Sequence, residues 1–299
     1  MTPFVRGSAR LLFIYGLLAG SIPQAHAWGP RAHRVSTRVA EARLTPAARA
    51  GIRELLHDGD TLVDICTWAD HDGHDAVPGS ASWHFVNVPI SAPHYDTKFC
   101  SGGNCVVSKI KTYRKLLADR KAPKADRTRA LLFLVHFVQD VHQPLHVGDN
   151  KDRGGNLTQV QYFGQGSNLH KLWDSQILEN ASRDDRAWVS KIMPLLTSEN
   201  INAWSKGDVE TWADESLQDA KKAYTFPPGT TRTVESGIKL GREYSEAALP
   251  IIRLRLAQSG VRLANELNAI FAEDSTIKEK SRPAPAPAPV LVPAPAGRR

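Results

Sequence analysis

Leu131-Leu-Phe-Leu-Val-His136-Phe-Val-Gln-Asp140-Val-His-Gln-Pro-Leu-His146-Val147 is an apolar run that carries ionisable side chains where a core segment normally carries none. His136 and Asp140 stand four apart, so on a helix they share one face. A carboxylate buried beside imidazoles is costly unless something positive compensates it, and a metal ion does so. A core histidine hydrogen-bonded to a core aspartate is the competing reading of this pair taken alone.

The flanking sequence is mostly helical in period. Helical patterns cover Ala32 to Ala42, Ala47 to Leu56, Thr61 to Trp68, Val106 to Leu117 and Arg127 to Val141. They continue over Trp173 to Leu178, Arg186 to Leu196, Val209 to Tyr224 and Val234 to Phe271. Leu44-Thr45-Pro46 reads as a stop followed by an N-cap with proline at the first helical position. The last pattern is expected to break at Pro250, whose ring clashes with the preceding turn. Gln159 to Phe163 alternates as a short strand does, and Ser82 to Val88 is a second candidate. The expected fold is mainly α, as one helical domain over residues 28–272.

Both ends of the chain differ from this middle. Arg6 and Arg10, the apolar core Leu11 to Leu18, and Ala25-His-Ala27 form a secretory signal with cleavage after Ala27. The apolar stretch is too short for a membrane anchor. The product is expected to be secreted or periplasmic. The formal charge is +7, and the signal carries two of those positive charges and no acid. That excess suits a polyanionic partner without specifying one. Residues 273–299 include the proline-alanine tract Pro283 to Pro295, expected to be an extended, disordered tail. Of three cysteines, Cys100 and Cys105 bracket Ser-Gly-Gly-Asn and are able to close a small disulfide, whereas zinc ligation by such a pair without nearby partners is poor. Cys66, in the apolar stretch Leu62 to Trp68, reads as a buried thiol. Thr67-Trp-Ala-Asp70 recurs as Thr211-Trp-Ala-Asp214, with no longer self-similarity around it.

Further ligand types are spread along the chain. Cleavage after Ala27 would free the Trp28 amine and leave its carbonyl beside it, with His33 five residues on. Asp70, His84, His136, Asp140 and His146 follow. Asn168-Leu-His170-Lys-Leu-Trp-Asp174 supplies a second His and Asp four apart. A series of nitrogen and carboxylate donors without thiolates is the set that catalytic zinc takes.

With these motifs in order, the sequence resembles the zinc-dependent single-strand nucleases and 3′-nucleotidases of the S-one/P-one type, as a bacterial-like member. The resemblance runs from Trp28 to about Phe271. It rests on Trp28-Gly with His33, Trp68-Ala-Asp70, His84-Phe85, and His136-x3-Asp140-x-x-Gln-Pro-Leu-His146. Gly154-Gly-Asn156, Asn168-Leu-His170-x-x-Trp-Asp174 and Trp212-Ala-x-Glu-Ser216 complete it. It implies a helical domain of the zinc phospholipase C and nuclease type with three zinc ions in one cleft. One ion would take Asp70, His84, His136 and Asp140. Its close neighbour would take the Trp28 amine and carbonyl, His33 and the other oxygen of Asp140. The third would take His146, His170 and Asp174. Asp214 is left out as structural. Asp70 would also orient the attacking water.

The implied activity is endonucleolytic hydrolysis of single-stranded DNA and RNA by zinc-activated hydroxide, giving 5′-phosphorylated products, with 3′-nucleotidase activity. The enzyme is expected to act as a monomer. The substrate contacts implied are Phe85 in a base pocket, Asn87 at the base edge and Asn156 near the phosphate. Cys100 and Cys105 sit where many relatives carry a small-loop disulfide. Two positions depart from the pattern: Gly73 replaces a common arginine, with Lys98 and Arg153 as candidate substitutes, and Asn87 replaces an aspartate of fungal members. His71, His74, His94 and His142 match no implied ligand and are read as surface or rim residues. A zinc phospholipase C is the nearest rival, although that type places glutamate at the position of Asp174. A non-catalytic zinc-binding relative is the second rival.

Overall fold

The computed structural model describes residues 28–272. The expected signal segment and tail lie outside the described residues. The fold is mainly helical and is organised around the helix Lys124–Asp140. From Ala130 onward this helix is buried on almost every side. That explains why its apolar residues form a continuous run rather than one stripe. The helices Pro30–Glu41, Pro46–Leu55, Val106–Ala118 and Arg242–Ile270 pack against it. Thr45 caps the second of these, accepting from the Ala48 amide ahead of Pro46.

Two apolar clusters fill the interior. One surrounds Phe133, Leu134 and Phe137; the other surrounds Trp173, Trp188 and Leu256. Leu145 belongs to the second cluster and Val147 to the first, so His146 lies at their junction. The strands are short. β1 (Val88–Pro89) pairs in parallel with β2 (Gly148–Asp149). β3 (Gln159–Tyr162) makes an antiparallel hairpin with β4 (Gln165–Asn168) and lies parallel to β5 (Lys239–Leu240).

The helical pattern expected from Val234 begins only at Arg242, since Lys239–Leu240 joins the sheet as β5. Two further expectations fail for identifiable reasons. The helix Arg242–Ile270 runs unbroken through Pro250. Pro250 and Glu246 are exposed, so the carbonyl left without its partner faces solvent. The buried residues Ala248, Ile252 and Leu256 meanwhile hold both halves onto the same core. The segment Ser82 to Val88 is not a strand over its length: Ser80–His84 forms a tight helical turn, and pairing begins only at Val88.

Candidate metal centre

The helix Lys124–Asp140 presents His136 and Asp140 at its C-terminal end, both wholly buried. The chain then turns through Gln143-Pro144 and delivers His146 to the same region. His33 comes from the first helix and is also wholly buried. Asp70 and His84 each sit on a one-turn helix, Trp68–Asp70 and Ser80–His84. His170 and Asp174 lie in the helical stretch Leu169–Ala181, which widens into a π turn at Leu172–Gln176. Such wide turns recur at functional sites.

Four imidazoles are oriented the same way. Nδ1 of His136 donates to the Cys66 carbonyl at 2.7 Å, that of His146 to the His84 carbonyl at 3.0 Å, and that of His170 to the Gly154 carbonyl at 2.7 Å. Nδ1 of His33 lies 3.1 Å from the Gln139 amide oxygen, and the Gln139 NH2 group donates to Thr37 and the Val135 carbonyl. A proton fixed on Nδ1 leaves the Nε2 lone pair bare, which is the form a metal takes. Nε2 of His33, His136 and His170, together with Oδ1 of Asp140, are buried without a hydrogen-bond partner.

These bare atoms converge on the carboxylates. Asp140 Oδ2 is 2.9 Å from His84 Nδ1 and 3.1 Å from His136 Nε2, and its Oδ1 is 3.5 Å from His33 Nε2. Asp70 Oδ1 lies 3.3 Å from His136 Nε2 and 3.7 Å from His84 Nδ1. Asp174 lies 3.2 Å from His170 Nε2 and 3.6 Å from His146 Nε2. Two donors on a zinc tetrahedron with bonds of about 2.0–2.1 Å are roughly 3.3 Å apart. The donors therefore stand at the spacing that a shared ion imposes. Three groups meet this geometry: His33 with Asp70 and His136; His84 with His136 and Asp140; and His146 with His170 and Asp174. The third has the membership expected from the sequence. The first two share His136 and differ from the expected sets, His33 standing with Asp70 and His136 rather than with Asp140.

The electrostatics differ between the groups. Burial pushes the Asp174 carboxyl up to about 8, against the pull of His170 and a 2.6 Å hydrogen bond from Gln143. Burial, reinforced by the neighbouring His136, lowers His33 to about 3 and keeps it neutral. Burial alone would raise Asp70 and Asp140, but His136 between them, itself raised well above an ordinary histidine by these two carboxylates, holds both below the usual carboxylate range, so a proton on its Nε2 competes with a metal for that atom.

Trp28 is wholly buried, and the Gly29 amide donates to the Asp174 carbonyl at 2.9 Å. A Cβ on Gly29 would lie 2.8 Å from Ser175 Cβ, so this approach requires glycine. The start of the described chain is thus stitched to the third group.

After His84, Val86 and Val88 are buried while Phe85 is half-buried and Asn87 exposed. The alternation puts Phe85 and Asn87 together on the more exposed face of this segment. Asn156 donates from its amide to the Arg153 carbonyl at 2.9 Å. Cys100 and Cys105 form a disulfide, and Cys66 is a buried free thiol. Asp214 accepts from the Tyr95 amide, outside the three groups.

His142 corrects the sequence reading. It is wholly buried, not a rim residue, with Nδ1 donating to the Val138 carbonyl and Nε2 accepting from Arg262 at 2.9 Å. Arg262 and Arg255 both bind Glu215, which explains the Glu of the Trp212-Ala-x-Glu-Ser216 motif. His74 lies 3.3 Å from His84, at the edge of the second group. Sequence reasoning missed Gln139 and quoted Gln143 in a motif without giving it a role; they orient His33 and Asp174. The signal for Gln139 was an amide side chain inside an apolar run.

Comparison with known proteins follows the same lines. The family model described as S1/P1 nuclease matches residues 28–272. Endonuclease 2 of Arabidopsis thaliana is 33% identical, over 87% of this chain and 96% of the relative. Nuclease S1 of Aspergillus oryzae is 28% identical, over 89% and 99%. Nuclease P1 of Penicillium citrinum is 28% identical, over 83% and 99%. A buried array of histidines and aspartates on a helical frame and a family match across every described residue lead to one conclusion: the chain belongs to the S1/P1 nuclease family.

Proposed function

We propose that this protein is a zinc-dependent endonuclease that hydrolyses phosphodiester bonds of single-stranded DNA and RNA to 5′-phosphorylated products and removes phosphate from 3′-nucleotides. The observation that carries the reading is the convergence of bare, buried Nε2 atoms on three aspartates at the spacing of shared cations. Three zinc ions are proposed: one on Asp70, His84, His136 and Asp140, one on Trp28, His33 and Asp140, and one on His146, His170 and Asp174. Bound zinc supplies Lewis acidity toward phosphoryl oxygens and makes hydroxide available from water at neutral pH.

The chain's own residues do the rest. Asp70 orients the attacking water. Phe85 offers a face on which a base stacks, an interaction tolerant of base identity that favours unpaired strands. Asn87 beside it reads the base edge; its amide both donates and accepts. Asn156 stands on the loop that anchors His170, and the second hydrogen of its amide NH2 group serves the phosphate.

The proposed organisation is a signal at 1–27 removed after Ala27, a catalytic domain at 28–272 and a proline-alanine tail at 273–299, in a secreted or periplasmic, bacterial-like monomer. No described helix is long and apolar enough to cross a membrane. The test is a panel of single-stranded DNA, RNA, a 3′-nucleotide and phosphatidylcholine, each with and without chelator, alongside a zinc count. Chelator-sensitive cleavage of the nucleic acids and three zinc ions per chain are expected. Cleavage of the lipid alone would make the protein a phospholipase C, and zinc without turnover would make it a binding protein.

A further inference from the structure

The loop from Gly148 to Leu157 carries four residues of left-handed backbone, two of them with side chains. Lys151 and Arg153 have φ of 63° and 58°, and Gly154 and Gly155 follow at 61° and 88°. The glycines have a clear cause. A Cβ on Gly154 would lie 2.3 Å from the Leu145 carbonyl oxygen, and one on Gly155 would lie 3.0 Å from the His170 amide nitrogen. At Lys151 and Arg153 the neighbouring Asp152 and Gly154 amides are held by Asp149, yet both positions carry a side chain. A residue with a Cβ is disfavoured in this region, and glycine would fit there without strain.

The acids of the loop do not neutralise these cations. Asp149 accepts from the Asp152 and Gly154 amides at 3.1 and 2.9 Å. Buried Asp152 accepts from the Gly155 amide, the Thr158 hydroxyl and the Tyr224 hydroxyl. Lys151 and Arg153 are exposed, and among the described residues neither side chain has an ion pair or hydrogen bond. The loop is also fixed to the centre, because the Gly154 carbonyl holds His170. Two uncompensated positive charges are thus mounted on a rigid loop, flanking a buried acid, one residue from an anchor of the third metal group.

We infer that Arg153 and Lys151 form a phosphate clamp for the nucleic-acid strand, holding the phosphodiester next to the one being cleaved. The inference rests on the nuclease reading. A guanidinium fork matches two phosphate oxygens and an ammonium adds a point charge, so one of each suits a strand that passes over the loop. Strained backbone retained at a cationic side chain is the signature of a function that glycine would not serve.

The experiment uses the zinc-loaded protein, K151Q/R153Q and R153G, with single-stranded DNA as substrate over a range of salt. Loss of two phosphate contacts lowers the slope of log affinity against log salt by about 1.4, at about 0.7 per contact on a single strand. The KM for DNA rises about tenfold or more in K151Q/R153Q, while kcat stays within about twofold. The KM for a 3′-mononucleotide, which has no flanking phosphate, moves several-fold less. R153G melts at a higher temperature than wild type yet binds DNA more weakly, a combination that a purely structural arginine would not produce. Unchanged KM and salt slope, an equal rise for the mononucleotide, or loss of zinc from the variants would each overturn the clamp. Wild-type protein without nuclease activity would overturn the nuclease reading and the clamp together.

Discussion

Replacing Gly154 by alanine tests how far the third metal group depends on backbone geometry. The new Cβ would adopt φ +61° and sit 2.3 Å from the Leu145 carbonyl oxygen. The left-handed conformation costs a residue with a Cβ about 1–2 kcal/mol. The clash adds about 1–3 kcal/mol, since a backbone carbonyl cannot rotate away as a flexible side chain would. Gly164→Ala is the matched control, because its φ is +80° but nothing lies within 4 Å of the added atom. The excess loss in Gly154→Ala is therefore about 1–3 kcal/mol, a melting temperature lower by roughly 2–4 °C per kcal/mol for a domain of this size. Moving the Gly154 carbonyl also releases His170 Nδ1. Loss of such an orienting partner weakens metal binding about 10–100-fold. Thermal melts with and without chelator, and zinc titration against a competing chelator, read both effects. Gly154→Ala matching Gly164→Ala in both would refute the reasoning.

The other predictions concern charge, the chain start and base choice. Asp174 has a carboxyl raised by burial to about 8, above its unfolded value, so its stabilising contribution is full below pH 4 and is lost as pH rises towards 8. Chelated wild-type protein should lose stability relative to Asp174→Asn across that window; parallel profiles from urea melts would count against it. One extra residue left before Trp28 should reduce bound zinc from three ions to two, measured by metal analysis of protein with a sequenced N-terminus; unchanged zinc and activity would remove Trp28 from the ligand set. Asn87→Asp should narrow base preference on the four homopolymers, and an unchanged profile would remove residue 87 from base reading.

Much of this candidate centre was legible because its histidines and aspartates interrupt apolar periodicity. His136 with Asp140 and His170 with Asp174 each fall four apart, so helical phase alone puts each pair on one face. The wide π turn that carries Asp174 and the tight turn that ends in His84 left no comparable mark. Pro250 misled because proline's local cost is fixed, while the apolar face on either side of it is settled only by tertiary packing. His142 misled for the opposite reason. A neutral buried imidazole needs a distant donor, and Arg262, 120 positions along the chain, supplies it. Strained Lys151 and Arg153 were invisible to composition, since φ is set by what the loop must reach.

The imidazoles of His136, His146 and His170 are all anchored on main-chain oxygens, those of Cys66, His84 and Gly154. A peptide carbonyl is present whatever side chain stands beside it. The aim of these rings is thus uncoupled from side-chain identity at their anchor points, except where space demands glycine. Such an arrangement tolerates drift: a relative identical at only 33% of aligned positions can replace an anchor such as Cys66 and still inherit the angle of the ring it holds. What must be inherited unchanged is the path of the chain, and that path is held by many weak packing contacts that no single substitution removes.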